Sequence, residues 1–208
     1  MSSAIQKIRD WQSCLLDGIV RGNAHIGLDA RAEEFVRLFE NYLPQKSSVL
    51  DIGGRWGFYA RPLVNRGHHV TVLDVVKPGL QKVPVVMYDG DRIPFPDHSF
   101  DVSLLITVLH HIPDIEHVIR EAHRVTRKRL IVVEDIYHHA LGRFWTEWRD
   151  RIYNLEFFGH PCNFKKADEW VNFFRTHGFQ LEHQSEVYTW LCGMRILNGI
   201  FVCLKEEL

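Results

Sequence analysis

"VLDIGGRWGFYA", residues 49–60, is the stretch that decides how this chain is read. A short apolar run ends at Asp51, passes through Gly53, Gly54 and Gly57, and gives way to a segment of helical character. Glycines at the carboxyl end of a strand let the backbone approach a ligand closely, and the helix that follows offers free N–H groups. The glycine spacing does not fit the dinucleotide fingerprint G-x-G-x-x-G, and no G-K-[ST] follows to make a Walker loop. Asp51, two positions ahead of the first glycine, suits a ligand carrying a cation rather than a pyrophosphate. Arg55 stands where one more glycine would be expected.

Working outward, strands alternate with helices. "SSVLDIG", "HHVTVLD", "VPVVMYD", "SFDVSLLI" and "LIVVED" read as five strands. "FYARPLVNRG" reads as a helix ended by Gly67, with Pro62 in its first turn. "PDIEHVIREAHRVTRKR" reads as another, because Ile115, Val118, Ile119, Ala122 and Val125 keep the helical period and cations crowd its C-terminal end. This alternation predicts an α/β fold with a largely parallel sheet. In the tail, "KKADEWVNFFRTHGF" predicts a helix ending at Gly178. "QLEHQSEVYTWL" and "MRILNGIFVCLK" predict two late strands, linked so closely that they must pair antiparallel. Ahead of the core, Ile5, Ile8, Leu15, Leu16 and Ile19 outline one amphipathic helix. Phe35, Val36, Leu38, Phe39 and Tyr42 outline a second, stopped by Pro44, with "GNAHIG" as the loop between them. The expected organisation is a single domain over 1–208. It comprises an N-terminal helical cap (1–46), a ligand-binding core (47–135), an aromatic-rich insert (136–164), and a C-terminal helix with a strand pair (165–208).

Composition excludes several classes. With 25 Lys+Arg against 26 Asp+Glu, the formal net charge is −1, so no strong field favours nucleic acid or an anionic membrane. Cys14, Cys162, Cys192 and Cys203 form no C-x-x-C pair, which argues against a zinc ribbon or a disulfide scaffold. "MSSAIQKIRDWQ" is too polar for a signal peptide, and "VSLLITVL" falls far short of the ~20 residues of a membrane helix. The expectation is a cytoplasmic protein, monomer or homodimer, with no nucleic-acid or membrane partner.

The loop is more specific than a glycine-rich turn. "VLDIGGRWG" resembles motif I of the class I S-adenosylmethionine-dependent methyltransferases, [DE]-x-G-x-G-x-G. Asp51, Gly53 and Gly57 match, and Arg55 replaces the middle glycine. Asp74, closing "VTVLD", matches the acid that takes the ribose hydroxyls in that family. "YDGDRIPFPDHSFDV" resembles the family stretch G-D-A-x-x-L-P-F-P-D-x-S-F-D-V, which aligns Asp89 with the adenine-amino contact and Gly90 with the backbone contact to the ring. "LLITVLHHIPD" matches the segment after strand four that passes beneath the cofactor. The resemblance covers roughly residues 47–135, and the tail follows the family more loosely. It implies a three-layer Rossmann-like sheet of seven strands, order 3-2-1-4-5-7-6, with the last strand antiparallel. It also implies S-adenosylmethionine as cofactor, held by Asp51, Gly53, Gly54, Arg55, Gly57, Asp74, Val75, Asp89, Gly90 and Thr107, and methyl transfer to a small-molecule acceptor.

Arg55 has two readings. With ordinary backbone angles its side chain turns to solvent or the neighbouring loop, which is the favoured reading. Otherwise it grips a carboxylate of cofactor or substrate. Among the 13 histidines, His110 and His111 follow strand four, near where a methyl acceptor would sit. Histidine is suited to removing a proton at neutral pH, and His111 is preferred as the one that points into the acceptor pocket. Glu134, Asp135, His138 and His139 lie near the ligand end of strand five, but they match no metal-dependent motif of the family, and no bound metal is expected. The acceptor pocket is expected from the N-terminal helices and the 136–164 insert. Two other readings stay open. One is a homologue that binds the cofactor and transfers nothing. The other is a protein or RNA methyltransferase, weakened by the neutral charge and by "TVLHHIPD" where exocyclic-amine methylases carry N-P-P-[YF].

Overall fold

The computed structural model describes residues 14–20, 27–154 and 161–206. A helical segment at 14–19 precedes helix α1 (Leu28–Phe39), which continues as a 3₁₀ turn over Glu40–Tyr42. There follow β1 (Ser48–Ile52), α2 (Ala60–Asn65), β2 (His69–Asp74), β3 (Val85–Met87) and β4 (Phe100–Ile106). After a 3₁₀ turn at Leu109–His111 come α3 (Ile115–Val125), β5 (Thr126–Asp135), α4 (Ala140–Tyr153), α5 (Ala167–Arg175), β6 (Phe179–Leu191) and β7 (Met194–Lys205). Ile5, Ile8 and most of "GNAHIG" lie outside the described residues.

The sheet has the order β3-β2-β1-β4-β5-β7-β6. The β1–β2, β1–β4, β2–β3 and β4–β5 pairs are parallel, and β7 runs antiparallel to both β5 and β6. This is the expected sheet. Its two faces follow from strand alternation. Leu50, Ile52, Leu105 and Val132 pack with Ile119, Ala122, Trp170 and Phe174 on the α3/α5 side. Val49, Leu104, Ile106 and Val133 pack with Phe35 and Phe39 of α1 on the other. The β6–β7 hairpin turns through Cys192 (φ 47°) and Gly193 (φ 78°), the left-handed pair that matches the twist of the flanking strands.

One boundary is corrected. The helix read through "RVTRKR" ends at Val125, and Thr126 opens β5. Cations 127–129 therefore lie on a strand. Lys128 Nζ stands 3.1 Å from Asp101, and Arg129 pairs with Glu182 at 2.6 Å. Sheet pairing and these partners prevail over the local helical preference.

Candidate active site

The carboxyl ends of β1, β2, β4 and β5 open into one cavity of about 960 Å³. In an open α/β sheet this is where ligands bind, at the point where strand order reverses. Here that point is β1, with β2 on one side and β4 on the other.

One half of the cavity is built from backbone. Gly53 (φ 75°) and Gly57 (φ 74°) adopt angles that favour glycine. A Cβ on Gly53 would stand 2.3 Å from Val108 Cγ2, and one on Gly54 2.2 Å from Asp51 Oδ2. Neither position admits a side chain. Asp51 is buried, and neither carboxylate oxygen has a partner among the described residues. Burial, reinforced by the neighbouring Asp74, pushes its carboxyl up to about 7. Asp74 accepts from the Arg55 N–H at 2.9 Å and the Val76 N–H at 2.8 Å, one bond on each oxygen. Each oxygen keeps a lone pair for a ligand hydroxyl. Burial raises the Asp74 pKa against those bonds.

Val75 is 53% exposed at the cavity wall. Gly90 (φ 88°) faces it, since a Cβ there would lie 3.3 Å from Val75 Cγ1. Asp89 is exposed and accepts from the Asp91 N–H at 3.0 Å in a local turn. Thr107 (φ 51°) is held by its N–H to Val133 O at 2.7 Å. All four line the same cavity as Asp51's loop.

Arg55 departs from the favoured reading in one respect. Its φ is 40°, so it takes the left-handed angle that a glycine would take. Its side chain lies over the Trp56 ring at 4.5 Å, and Nη2 reaches Asp17 at 3.3 Å. Asp17 also accepts from Trp56 Nε1 at 2.9 Å and the Gly79 N–H at 2.7 Å. One carboxylate on the helical segment at 14–19 thus ties down the loops after β1 and β2. The sequence reading missed Asp17, because nothing local in "LLDGIV" points to those loops.

The other half of the cavity is built from side chains. Glu134, at the end of β5, is completely buried. It accepts from the Val108 N–H at 2.9 Å, the Leu109 N–H at 2.7 Å and His110 Nδ1. His110 Nε2 stands 3.4 Å from Asp150 Oδ1, and His111 Nε2 stands 3.9 Å from the same oxygen. Burial lowers the His110 pKa, but the Glu134 and Asp150 carboxylates outweigh it and raise it well above the usual histidine value. The expectation that only one of the two histidines faces the pocket is corrected, since both line it. Behind them Asp135 accepts from Asn198 Nδ2 at 2.6 Å and from Arg149, with Arg31 Nη2 at 3.5 Å.

Glu134, Asp135, His138 and His139 form no cluster. Glu134 and Asp135 turn to the two groups just described, and His138 Nε2 pairs with Glu186 at 3.2 Å. The insert instead supplies Arg149, Asp150 and Tyr153 on the inner face of α4. Its outer face leaves Leu141, Phe144, Trp145 and Trp148 exposed. The spacing 146, 149, 150, 153 of polar residues opposite 141, 144, 145, 148 was the available signal for this two-faced helix.

Residues 50–133 match the family model described as "Methyltransferase domain". The ubiquinone/menaquinone biosynthesis C-methyltransferase of Rhizobium meliloti is 30% identical over 120 residues, covering 48% of this chain and 46% of the relative. The chain thus spans about half the length of the curated relatives it matches. A Thermotoga maritima S-adenosylmethionine-dependent methyltransferase, possibly a histamine N-methyltransferase, superposes with a TM-score of 0.68 at 18% identity, covering 91% of this chain and 98% of that one. The Burkholderia thailandensis 1,6-didemethyltoxoflavin-N1-methyltransferase, solved with bound 1,6-didemethyltoxoflavin and S-adenosylhomocysteine, gives a TM-score of 0.66 at 15% identity, covering 100% of this chain and 92% of that one. Among the described residues no helix is long and apolar enough to cross a membrane. Residues 50–133 are thus similar to the methyltransferase-domain family, and the chain shares its fold with the solved S-adenosylmethionine-dependent methyltransferases on which it superposes.

Proposed function

We propose that the protein transfers a methyl group from S-adenosylmethionine to a small-molecule acceptor. The observation that carries the cofactor half is Asp51, a buried carboxylate with no hydrogen-bond partner among the described residues, in a loop where Gly53 and Gly54 leave little room for a Cβ. An unpaired buried acid is costly unless a ligand supplies the missing charge. The cofactor's ammonium fits that need, and the spare lone pairs of Asp74 fit its ribose hydroxyls. Gly90 and Val75 bound a slot for the adenine, with Asp89 at its rim. S-adenosylmethionine, when bound, supplies a methyl group on a sulfonium, which a nucleophilic atom of the acceptor takes.

The chain's own contribution is placement. Glu134 fixes the loop over 108–110, so Thr107, His110 and His111 are held rigidly at the cavity wall. Holding an acceptor in reacting geometry supplies about 7–11 kcal/mol. His111 is the more accessible of the two histidines and is assigned to the acceptor's proton, with His110 behind it. A small acceptor is favoured by the closed composition of this half, in which Arg31, Asp135, Arg149 and Asp150 are all buried.

Calorimetry tests the reading. S-adenosylmethionine and S-adenosylhomocysteine should bind at micromolar levels, with no competition from NAD or ATP. Absence of heat with both sulfur compounds would sink it. Release of S-adenosylhomocysteine over a panel of phenols, amines, thiols and quinols then separates a transferase from a homologue that only binds.

A further inference from the structure

His110, His111 and Asp150 each offer one ligand atom, and these three atoms lie within 4.8 Å of one another. Two of the separations are 3.4 Å and 3.9 Å. Donor atoms at the corners of a tetrahedron around zinc, with bonds of about 2.0–2.1 Å, stand about 3.3–3.4 Å apart. The first separation already matches such an edge, and the second needs a shift of about half an ångström.

Two further observations point the same way. His110 presents Nε2 to this cluster because Nδ1 is engaged by Glu134. A carboxylate behind the far nitrogen of a histidine is the usual support of a metal ligand, since it fixes the ring and raises its basicity. Glu134 is itself fixed by two backbone N–H groups, so the support is rigid. The charges also agree. Glu134 and Asp150 are both buried, so the His110 ring lies between two carboxylates that favour a cation held at its Nε2.

We propose that His110, His111 and Asp150 form a three-ligand site for a divalent transition-metal ion of the zinc or cobalt kind, with its fourth position facing the acceptor cavity. Two imidazoles and one carboxylate suit such ions better than magnesium or calcium, which prefer oxygen donors. Three protein ligands leave one position for water or for an oxygen of the acceptor, the pattern of a catalytic rather than a structural site. With an ion bound, His111 Nε2 is a ligand and no longer the base, and an acceptor hydroxyl held in the fourth position gives up its proton to solvent more readily. The inference rests on the proposed function only for what occupies the fourth position; ion binding is measured without acceptor or cofactor.

The test uses the whole chain stripped with a chelator and titrated with zinc or cobalt(II) by calorimetry, with cobalt also followed by its visible ligand-field bands. One equivalent should bind, with bands of four-coordinate intensity. His111→Ala should weaken binding at least about 10–100-fold, and Asp150→Asn should do the same. His138→Ala, at a surface ion pair outside the cavity, should leave it unchanged. Binding of S-adenosylhomocysteine to each variant shows whether the fold is intact, and its failure in the parent chain would fault the proposed function rather than the metal site. If neither ion binds, or if binding survives His111→Ala and Asp150→Asn in folded protein, the proposal is overturned. Loss with His138→Ala alone would assign the ion to the surface and overturn it equally.

Discussion

The two halves of the cavity are made in opposite ways. At the ends of β1 and β2 the wall is backbone, and its acids keep open valences. Among the described residues Asp51 has no hydrogen-bond partner, and Asp74 spends one bond per oxygen. At the ends of β4 and β5 the wall is side chain against side chain. Glu134 accepts three bonds, and Asp135 is shared among Asn198, Arg149 and Arg31. The first half is incomplete until a ligand arrives. The second is complete in itself around Glu134 and Asp135. Substitutions at the acids of the first half should therefore lower ligand affinity, and substitution of Glu134 should lower protein stability.

Glu134→Ala gives the largest effect. It strands two backbone N–H groups and breaks a buried charged pair, which costs about 3–5 kcal/mol. Urea denaturation without cofactor should show that loss. A loss below about 1 kcal/mol would mean that the loop over 108–110 does not depend on this acid, and the contrast between the halves would fail.

Asp74→Ala should act on the other axis. Cofactor affinity should fall by about 1.5–3 kcal/mol, the worth of hydrogen bonds to a charged acceptor. Stability should change less than with Glu134→Ala, because the two N–H groups that Asp74 accepts lie in a loop beside the open cavity. Unchanged affinity would remove Asp74 from the ribose contact.

The same division governs what could be read from the sequence. The half at the ends of β1 and β2, proposed for the cofactor, was open to sequence reading because its residues are local. Asp51, Gly53 and Gly57 act within seven residues, and Asp74 closes an apolar run whose strand character is plain. The sheet order came from the family resemblance, and the turn through Cys192 and Gly193 follows from the short link between two strands. The half at the ends of β4 and β5 was opaque because its contacts join residues far apart. His110 meets Asp150 across 40 positions, and Arg31 meets Asn198 across 167. No periodicity encodes such pairs. Likewise the start of β5 at Thr126 was hidden, since the cations at 127–129 fit a helix end as well as a strand until Asp101 and Glu182 are seen beside them.

Asp51 sharpens the comparison through pH. Its carboxyl is raised from 3.8 to about 7 without ligand, first by burial and then by Asp74. Below pH 7 it is mostly protonated, and a cationic ligand must displace that proton. Affinity for S-adenosylhomocysteine should rise up to about tenfold per pH unit from pH 5 to 7 and then level off. Calorimetry in two buffers of different ionisation heat should detect proton release at pH 6, and Asp51→Asn should abolish it. For the ligand-free protein the sign is reversed. A raised carboxyl stabilises the fold fully below about pH 4, and that contribution is lost as pH rises toward 7. Affinity independent of pH over this range would mean that Asp51 does not meet the ligand's charge.

Arg55→Gly should have the smallest effect, because its terms oppose one another. Arginine at a φ of 40° carries a backbone cost of about 1–2 kcal/mol, which glycine relieves. Against this, the substitution removes the ion pair with Asp17, worth about 0.2–1 kcal/mol, and the stacking on Trp56, worth about 0.5–1 kcal/mol. Glycine also gives the unfolded chain and the empty loop more freedom. The net change in cofactor affinity should stay within about tenfold, or ~1.4 kcal/mol. Asp17→Ala should cost more than Arg55→Gly, since Trp56 and the Gly79 N–H lose their acceptor as well. If Arg55 instead grips the cofactor's carboxylate, the order reverses: Arg55→Gly exceeds Asp17→Ala, and the loss shrinks as salt is added. A large loss that ignores salt would contradict both accounts and show that the left-handed arginine shapes the loop itself.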